Sequence, residues 1–207
     1  MDYNDLYYVM TPNFDDEYEV IHINPTEGTG LRRFHYRDLP FGEPAVKFIL
    51  SNCATDNKIP SMFFCKPSFL ISEKLKADFD SGVYGGKIFP ATIGNEKIKI
   101  DDFFLVNISN ELDCWSRNES VYKQKDPDYY PRVYQYRLDS TVLDKIEENK
   151  RLVFRMGGSD LSPVIVHEKI KRVIEKKWMV LIFSLLRTID LAMNISCLIK
   201  DLFDYVG

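Results

Sequence analysis

The stretch PSFLISEKLKADFD, which begins at Pro67, returns as SPVIVHEKIKRVIE from Ser162. At an offset of 95 residues Glu73 falls on Glu168, and without a gap Leu70 falls on Ile165, Ile71 on Val166, Lys74 on Lys169, Leu75 on Ile170, Lys76 on Lys171 and Phe79 on Ile174. Each copy begins as an apolar β-type run and continues with apolar residues at helical spacing and lysines on the opposite side, so each predicts a strand followed by an amphipathic helix. Ser72 is a good N-cap candidate and His167 a poorer one, each just ahead of a glutamate that complements the helix dipole. A second apolar run follows in both copies, GVYGGKIFPATI and WMVLIFSLL, and predicts a second strand. A duplicated strand-helix-strand unit must bury its helix face against a sheet. The expected fold is therefore α+β: a single domain over residues 1–207, with a mixed or mainly antiparallel sheet, flanking helices and two related units.

The remaining segments fill in that frame. DLYYVM and EYEVIHI, separated by the turn formers of TPNFDD, read as a strand pair within an N-terminal region of strands and loop, 1–44. AVKFILSN is apolar enough for an inner helix or a strand, and its pattern leaves both open. FFLVNI reads as a strand that ends in a polar break, and VYQYRLDSTVL as another. DSTVLDKIEENK predicts a short capped helix, followed by a strand through Phe154 and a glycine loop at Gly157 and Gly158. The tail after Trp178 has an apolar run of bilayer length, but Arg187 and Asp190 near its middle would each cost roughly 2.5 to 3.5 kcal/mol in a membrane. Residues 184–207 are expected to form an amphipathic helix, packed deeply or offered to a partner, a second copy of the chain included.

Composition narrows function. The chain of 207 residues is 45% hydrophobic, 28% charged and 14% aromatic, as a folded protein with a core of its own should be. A net charge of −4 argues against nonspecific nucleic-acid binding, which needs a basic surplus, and is better matched to a basic partner. Cys53, Cys65, Cys114 and Cys197 have no metal or redox spacing and read as reduced core thiols. The first residues lack a secretory pattern, so a cytoplasmic location is expected, and the three N-x-S sequons carry little weight.

Catalysis is not expected. His22, His35 and His167 have no triad or metal spacing, EGTG at Glu27 to Gly30 is too weak for a phosphate loop, and neither cofactor nor metal is implied. The candidate partner-binding residues are the acidic runs at Asp15, Asp16 and Glu17, with Glu19, and at Asp101 and Asp102, together with Asp113, Trp115 and Tyr122. The acidic runs could steer a basic partner, or could simply be solvated faces. Asn107, Asp113, Trp115 and Ser120 could contact a partner, or brace turns. Arg32, Arg33, His35 and Arg37 form a basic patch that could hold an acidic partner, although local salt bridges are the commoner use of such a patch.

The order of segments FLISEKLKADFDSGVYGGKIFPATI, FFLVNISNELDCWSRNESVY, YRLDSTVL, LVFRM and VIVHEKIKRVIE resembles a bacterial family of domains of unknown function, numbered 1629 and catalogued as immunity protein family eleven of polymorphic toxin systems. The likeness covers about 45–183 and involves Ser72 and Glu73, Asn107, Asp113 and Ser120, and Phe154 and Arg155. The chain departs from that pattern at His167, where a serine is usual, at KKWMVLIF, which lacks a glycine, and in its tail. The resemblance implies a non-catalytic cytoplasmic protein that binds and neutralises a cognate secreted effector, those of type VI secretion among them. Rival readings are a small hydrolase or transferase and a structural homo-oligomeric module.

Overall fold

The computed structural model describes residues 2–12, 22–34, 37, 39–40, 42–51, 59, 61–65, 68–79, 87–175 and 181–185. Both copies of the repeated segment fold as strand, helix, strand: β5 (Ser68–Ser72), α2 (Glu73–Phe79) and β6 (Lys87–Gly94) in the first, and β12 (Val164–His167), α4 (Glu168–Glu175) and β13 (Leu181–Leu185) in the second. The two strands of a unit do not touch each other. In the first, β7 (Lys99–Asn107) lies between them, antiparallel to both; in the second that place belongs to β1 (Tyr7–Pro12), from the other end of the chain.

Register shows how closely the copies agree. Ser72 pairs with Phe103 and Leu70 with Leu105; the equivalent His167 pairs with Tyr7 and Ile165 with Val9. Across the crossover, Ile88 lies opposite Val106 and Phe89 opposite Leu105, while Phe183 lies opposite Met10 and Ser184 opposite Val9. Ile88 and Phe183 are again 95 positions apart, so the offset visible in the helices persists into the strands beyond them.

Packing repeats as well. Leu75 and Phe79 of α2, and Ile170 and Ile174 of α4, are buried in one shared core with Phe69, Ile71 and Val106 of one sheet and Met10, Val164 and Val166 of the other. The ammonium of Lys76 lies 4.8 Å from the Phe104 ring centre, and that of the equivalent Lys171 lies 4.7 Å from the equivalent ring, Tyr8. In both copies the aliphatic stem covers apolar surface while its charge meets a ring face.

The caps differ, and in the opposite sense to that expected. Ser72 is buried and its hydroxyl has no hydrogen-bond partner among the described residues, so it does not cap α2. The larger imidazole of His167 does cap α4, its Nδ1 accepting from the Lys169 N–H at 3.1 Å.

The sheet of the first unit has six strands in the order β2-β3-β6-β7-β5-β4, including β2 (His22–Pro25), β3 (Val46–Ser51) and β4 (Met62–Cys65). The second has five, β13-β1-β12-β11-β8, including β8 (Glu111–Leu112) and β11 (Val153–Met156). Among the described residues only β3–β6 and β8–β11 pair in parallel, so the fold is α+β with mainly antiparallel sheets. DLYYVM and the end of EYEVIHI are both strands, but β1 and β2 lie in different sheets: β12 and β13 occupy both edges of β1 and leave no room for a hairpin partner. AVKFILSN is a strand because alternate residues, Val46, Phe48 and Leu50, enter the core.

Each sheet has a second buried face. On the six-stranded sheet, Phe34 and Leu39, which follow α1 (Glu27–Leu31), are buried against Phe48, Leu70, Phe89 and Leu105. On the five-stranded sheet, the covering segment runs from Leu112 to Ile146 and includes α3 (Ser140–Leu143), capped by Asp139. Among the described residues no helix is long and apolar enough to cross a membrane. The strand β13 takes in Ser184 and Leu185, which the sequence reading placed in a C-terminal helix; the rest of that helix, from 186 to 207, lies outside the described residues.

Candidate functional site

The cover on the five-stranded sheet is built around Trp115. Its indole N–H donates to the Gly157 carbonyl at 3.1 Å, and the rings of Tyr136 and Tyr122 meet it edge-on at 6.0 and 5.2 Å. The Arg117 guanidinium stacks 3.8 Å from the ring centre and is held by the Asp113 carboxylate through two bonds, of 2.5 and 2.7 Å. Gly158 has a φ of +65°, and a Cβ there would come to 2.5 Å from both the Asp113 and Arg117 side chains, so a larger residue would be strained and would displace this ion pair. Trp115 is buried, so it is an internal post and not an exposed anchor for a partner.

From this post projects a two-stranded ribbon, β9 (Val121–Lys123) and β10 (Arg132–Gln135), antiparallel with Tyr122 opposite Val133. Val133 is buried against the post, whereas Val121 and Tyr122 are partly exposed and, at the tip, Tyr129 and Tyr130 are 73% and 69% exposed. The tip is held by local bonds: the Gln124 amide donates to the carbonyls of Asp126 and Tyr129, and the Asp126 carboxylate accepts from the Asp128 N–H at 3.0 Å. The stem is fixed to the loop between β11 and β12. There Arg132 pairs with Asp160 at 3.0 Å, the Asp160 N–H donates to the Pro131 carbonyl, and the buried Tyr136 hydroxyl donates to Ser159 at 2.6 Å. Burial pushes the phenol pKa of Tyr136 up, so it stays neutral.

The sequence candidates do not converge. Asp15, Asp16 and Glu17, like Glu19, lie outside the described residues. Asp101 and Asp102 are exposed on β7, where Asp101 pairs with Lys99 at 2.8 Å. Asp113 is engaged by Arg117, and Ser120 accepts from the Arg137 N–H at 2.8 Å, so both act as braces. Asn107 is fully buried at the end of β7, donating to the Phe34 carbonyl at 2.6 Å and accepting from the Leu39 N–H at 3.3 Å. It pins the cover of the other sheet and has no part in the Trp115 cluster. The Arg155 side chain is also buried, paired with Glu111 at 2.8 Å where β11 meets β8. Of the named candidates only Tyr122 belongs to the ribbon; the sequence reading passed over Tyr129 and Tyr130, although a tandem aromatic pair flanked by aspartates and proline in DPDYYPR is itself a sign of an exposed tip.

Other features are less suited to chemistry. Cys65 and Cys114 are free and buried, and burial pushes the Cys114 thiol up to about 12. Both therefore stay protonated and unreactive; Cys53 and Cys197 lie outside the described residues. Arg32 and Arg37 of the basic patch share Glu43, at 2.6 and 3.1 Å, Arg33 is exposed, and His35 lies outside the described residues. Beside the Arg117 turn an open polar depression is lined by Ser116, Asn118, Glu119, Leu138, Asp139 and Ser140. Among the described residues no group of three His, Cys, Asp or Glu side chains could hold a metal ion. Compared with known proteins, the chain matches no protein-family model and no curated protein.

Proposed function

We propose that this chain is a binding protein of the immunity type its segment order resembles: it meets a secreted bacterial toxin in the cytoplasm of the producing cell and neutralises it by occupancy. The observation that carries the reading is the ribbon. Tyrosines supply large amphipathic contact area at low entropic cost, and a ribbon already fixed at its tip by Gln124 and Asp126 and at its stem by Asp160 needs little further ordering on association. A stable interface of this kind covers roughly 1,200 to 2,000 Å² in total, so the ribbon would be its centre and neighbouring polar surface its rim. This shifts the expected contact to exposed aromatics: Asp101 is engaged by Lys99, and Asp15, Asp16 and Glu17 lie outside the described residues.

The test is co-expression with the toxin encoded beside it. The pair should co-purify and toxicity should disappear; Tyr129→Ala with Tyr130→Ala should weaken the complex by more than about thirtyfold, the loss expected at a hot spot, with Tm unchanged. Toxicity that persists with both proteins present, or a double variant that binds as tightly as the parent, overturns the reading.

A further inference from the structure

Where the first crossover has Ser72, the second has the one titratable side chain of the pair, His167, and the groups around it form a connected corner. The neutral imidazole accepts the Lys169 N–H at 3.1 Å through Nδ1, and its ring stands edge-on to Tyr7 at 4.9 Å. The adjoining backbone ties the same corner to two other elements: the His167 N–H donates to the Leu152 carbonyl and the Glu168 N–H to the Leu6 carbonyl, both at 2.8 Å.

Every neighbouring element presents a charged or titratable group. From β1 comes the buried Tyr7 phenol, which desolvation keeps neutral. From the turn before β11 come Glu148 and Arg151, and from α4 itself Glu168 and Lys169. Lys169 reaches back to pair with Glu148, while Arg151 donates to the Tyr3 hydroxyl, which donates in turn to Asp144 at 2.5 Å.

We propose that the β12–α4 junction is a proton-operated latch: neutral His167 caps α4 and holds β1, and protonation of its imidazole releases that corner, while the first crossover, which has the non-titrating Ser72 in that place, keeps its structure. An imidazolium has no lone pair on Nδ1, so the accepting atom becomes a donor facing another donor, the Lys169 N–H. Burial first, then the positive charge of Lys169, hold the His167 pKa below its usual 6.5 despite the opposing pull of Glu148 and Glu168. The native state therefore binds fewer protons than the unfolded chain, and stability present above the ordinary histidine value is lost as pH falls through the lowered one. Lys169 holds Glu148 below the usual carboxylate range, so that carboxylate stays charged while His167 titrates.

The experiment is amide hydrogen exchange on the full chain at about pH 7.5 and about pH 5, expressed as protection factors so that intrinsic exchange cancels. Protection in 7–10 and 164–175 should fall at least about tenfold relative to 68–79 in the parent, and the fall should vanish in His167→Ser, which installs the first copy's residue. His167→Asn, which can cap without titrating, should behave likewise and serves if the serine variant does not fold. Equal behaviour of the two crossovers in the parent, or an undiminished fall in the variants, overturns the latch.

Discussion

The two crossovers share offset, register and cation-ring contact, yet they are completed differently. β4 and β5 are joined by Lys66 and Pro67 alone; their counterparts β11 and β12 are joined by 157–163, and this longer loop is what receives Trp115, Tyr136 and Arg132. The first unit takes its middle strand from the next hairpin, the second from the start of the chain. Agreement is concentrated where helix and sheet bury apolar surface, and divergence where the exposed ribbon is mounted. Stability thus rests on the packing the two units share, and the proposed recognition on the added loops.

The largest test of that division removes equivalent core side chains. Leu75 and Ile170 are both buried in the one core that joins the helices to both sheets. Leu75→Ala and Ile170→Ala should each cost about 2 to 5 kcal/mol, and each should lower one cooperative transition seen by urea unfolding. Two separable transitions, with one unit surviving the other, would break the comparison by making the crossovers independent domains.

A smaller effect is expected where the copies part. Gly158→Ala must place a Cβ against the Asp113–Arg117 pair from a left-handed backbone, at a cost of about 1 to 3 kcal/mol. The loss should appear as a lower Tm together with faster hydrogen exchange in 113–137, while exchange in 68–79 keeps its rate. An equal rise in both regions would mean that the ribbon's mount is no more local than the core.

The repeat was legible because the helix and strand patterns that produce it are local: apolar positions at helical spacing lead into α2 and α4, and short apolar runs into β5 and β12. The middle strand of each unit was not legible. Nothing within Tyr7–Pro12 says that its partners lie more than 150 residues away, since pairing is decided by which edges remain open once β12 and β13 are in place. The site was legible only in part. Trp115 stood out by residue type, but its burial depends on Gly157 and Arg117 and so on tertiary contact. Tyr129 and Tyr130 were readable as a turn, but their presentation also depends on the pairing of β9 with β10 and on the Arg132–Asp160 anchor, which lie beyond that turn.

The finest distinction lies at the two equivalent caps, where local rules misjudged both residues. Ser72 has the better capping side chain, but buried at the end of β5 its hydroxyl has lost water and gained no partner among the described residues; His167 reaches the Lys169 N–H that a serine was expected to serve. Removing an unsatisfied buried hydroxyl relieves a desolvation cost, whereas removing a working cap forfeits a bond. At neutral pH Ser72→Ala should therefore stabilise by up to about 1 kcal/mol, while His167→Ala should destabilise by about 0.5 to 2 kcal/mol. Opposite signs in the urea midpoint would sharpen the contrast between the crossovers. A loss of similar size in both would show Ser72 to be a cap after all, and would leave the shared register, with its two lysine-ring contacts, as the better guide to how the second unit works.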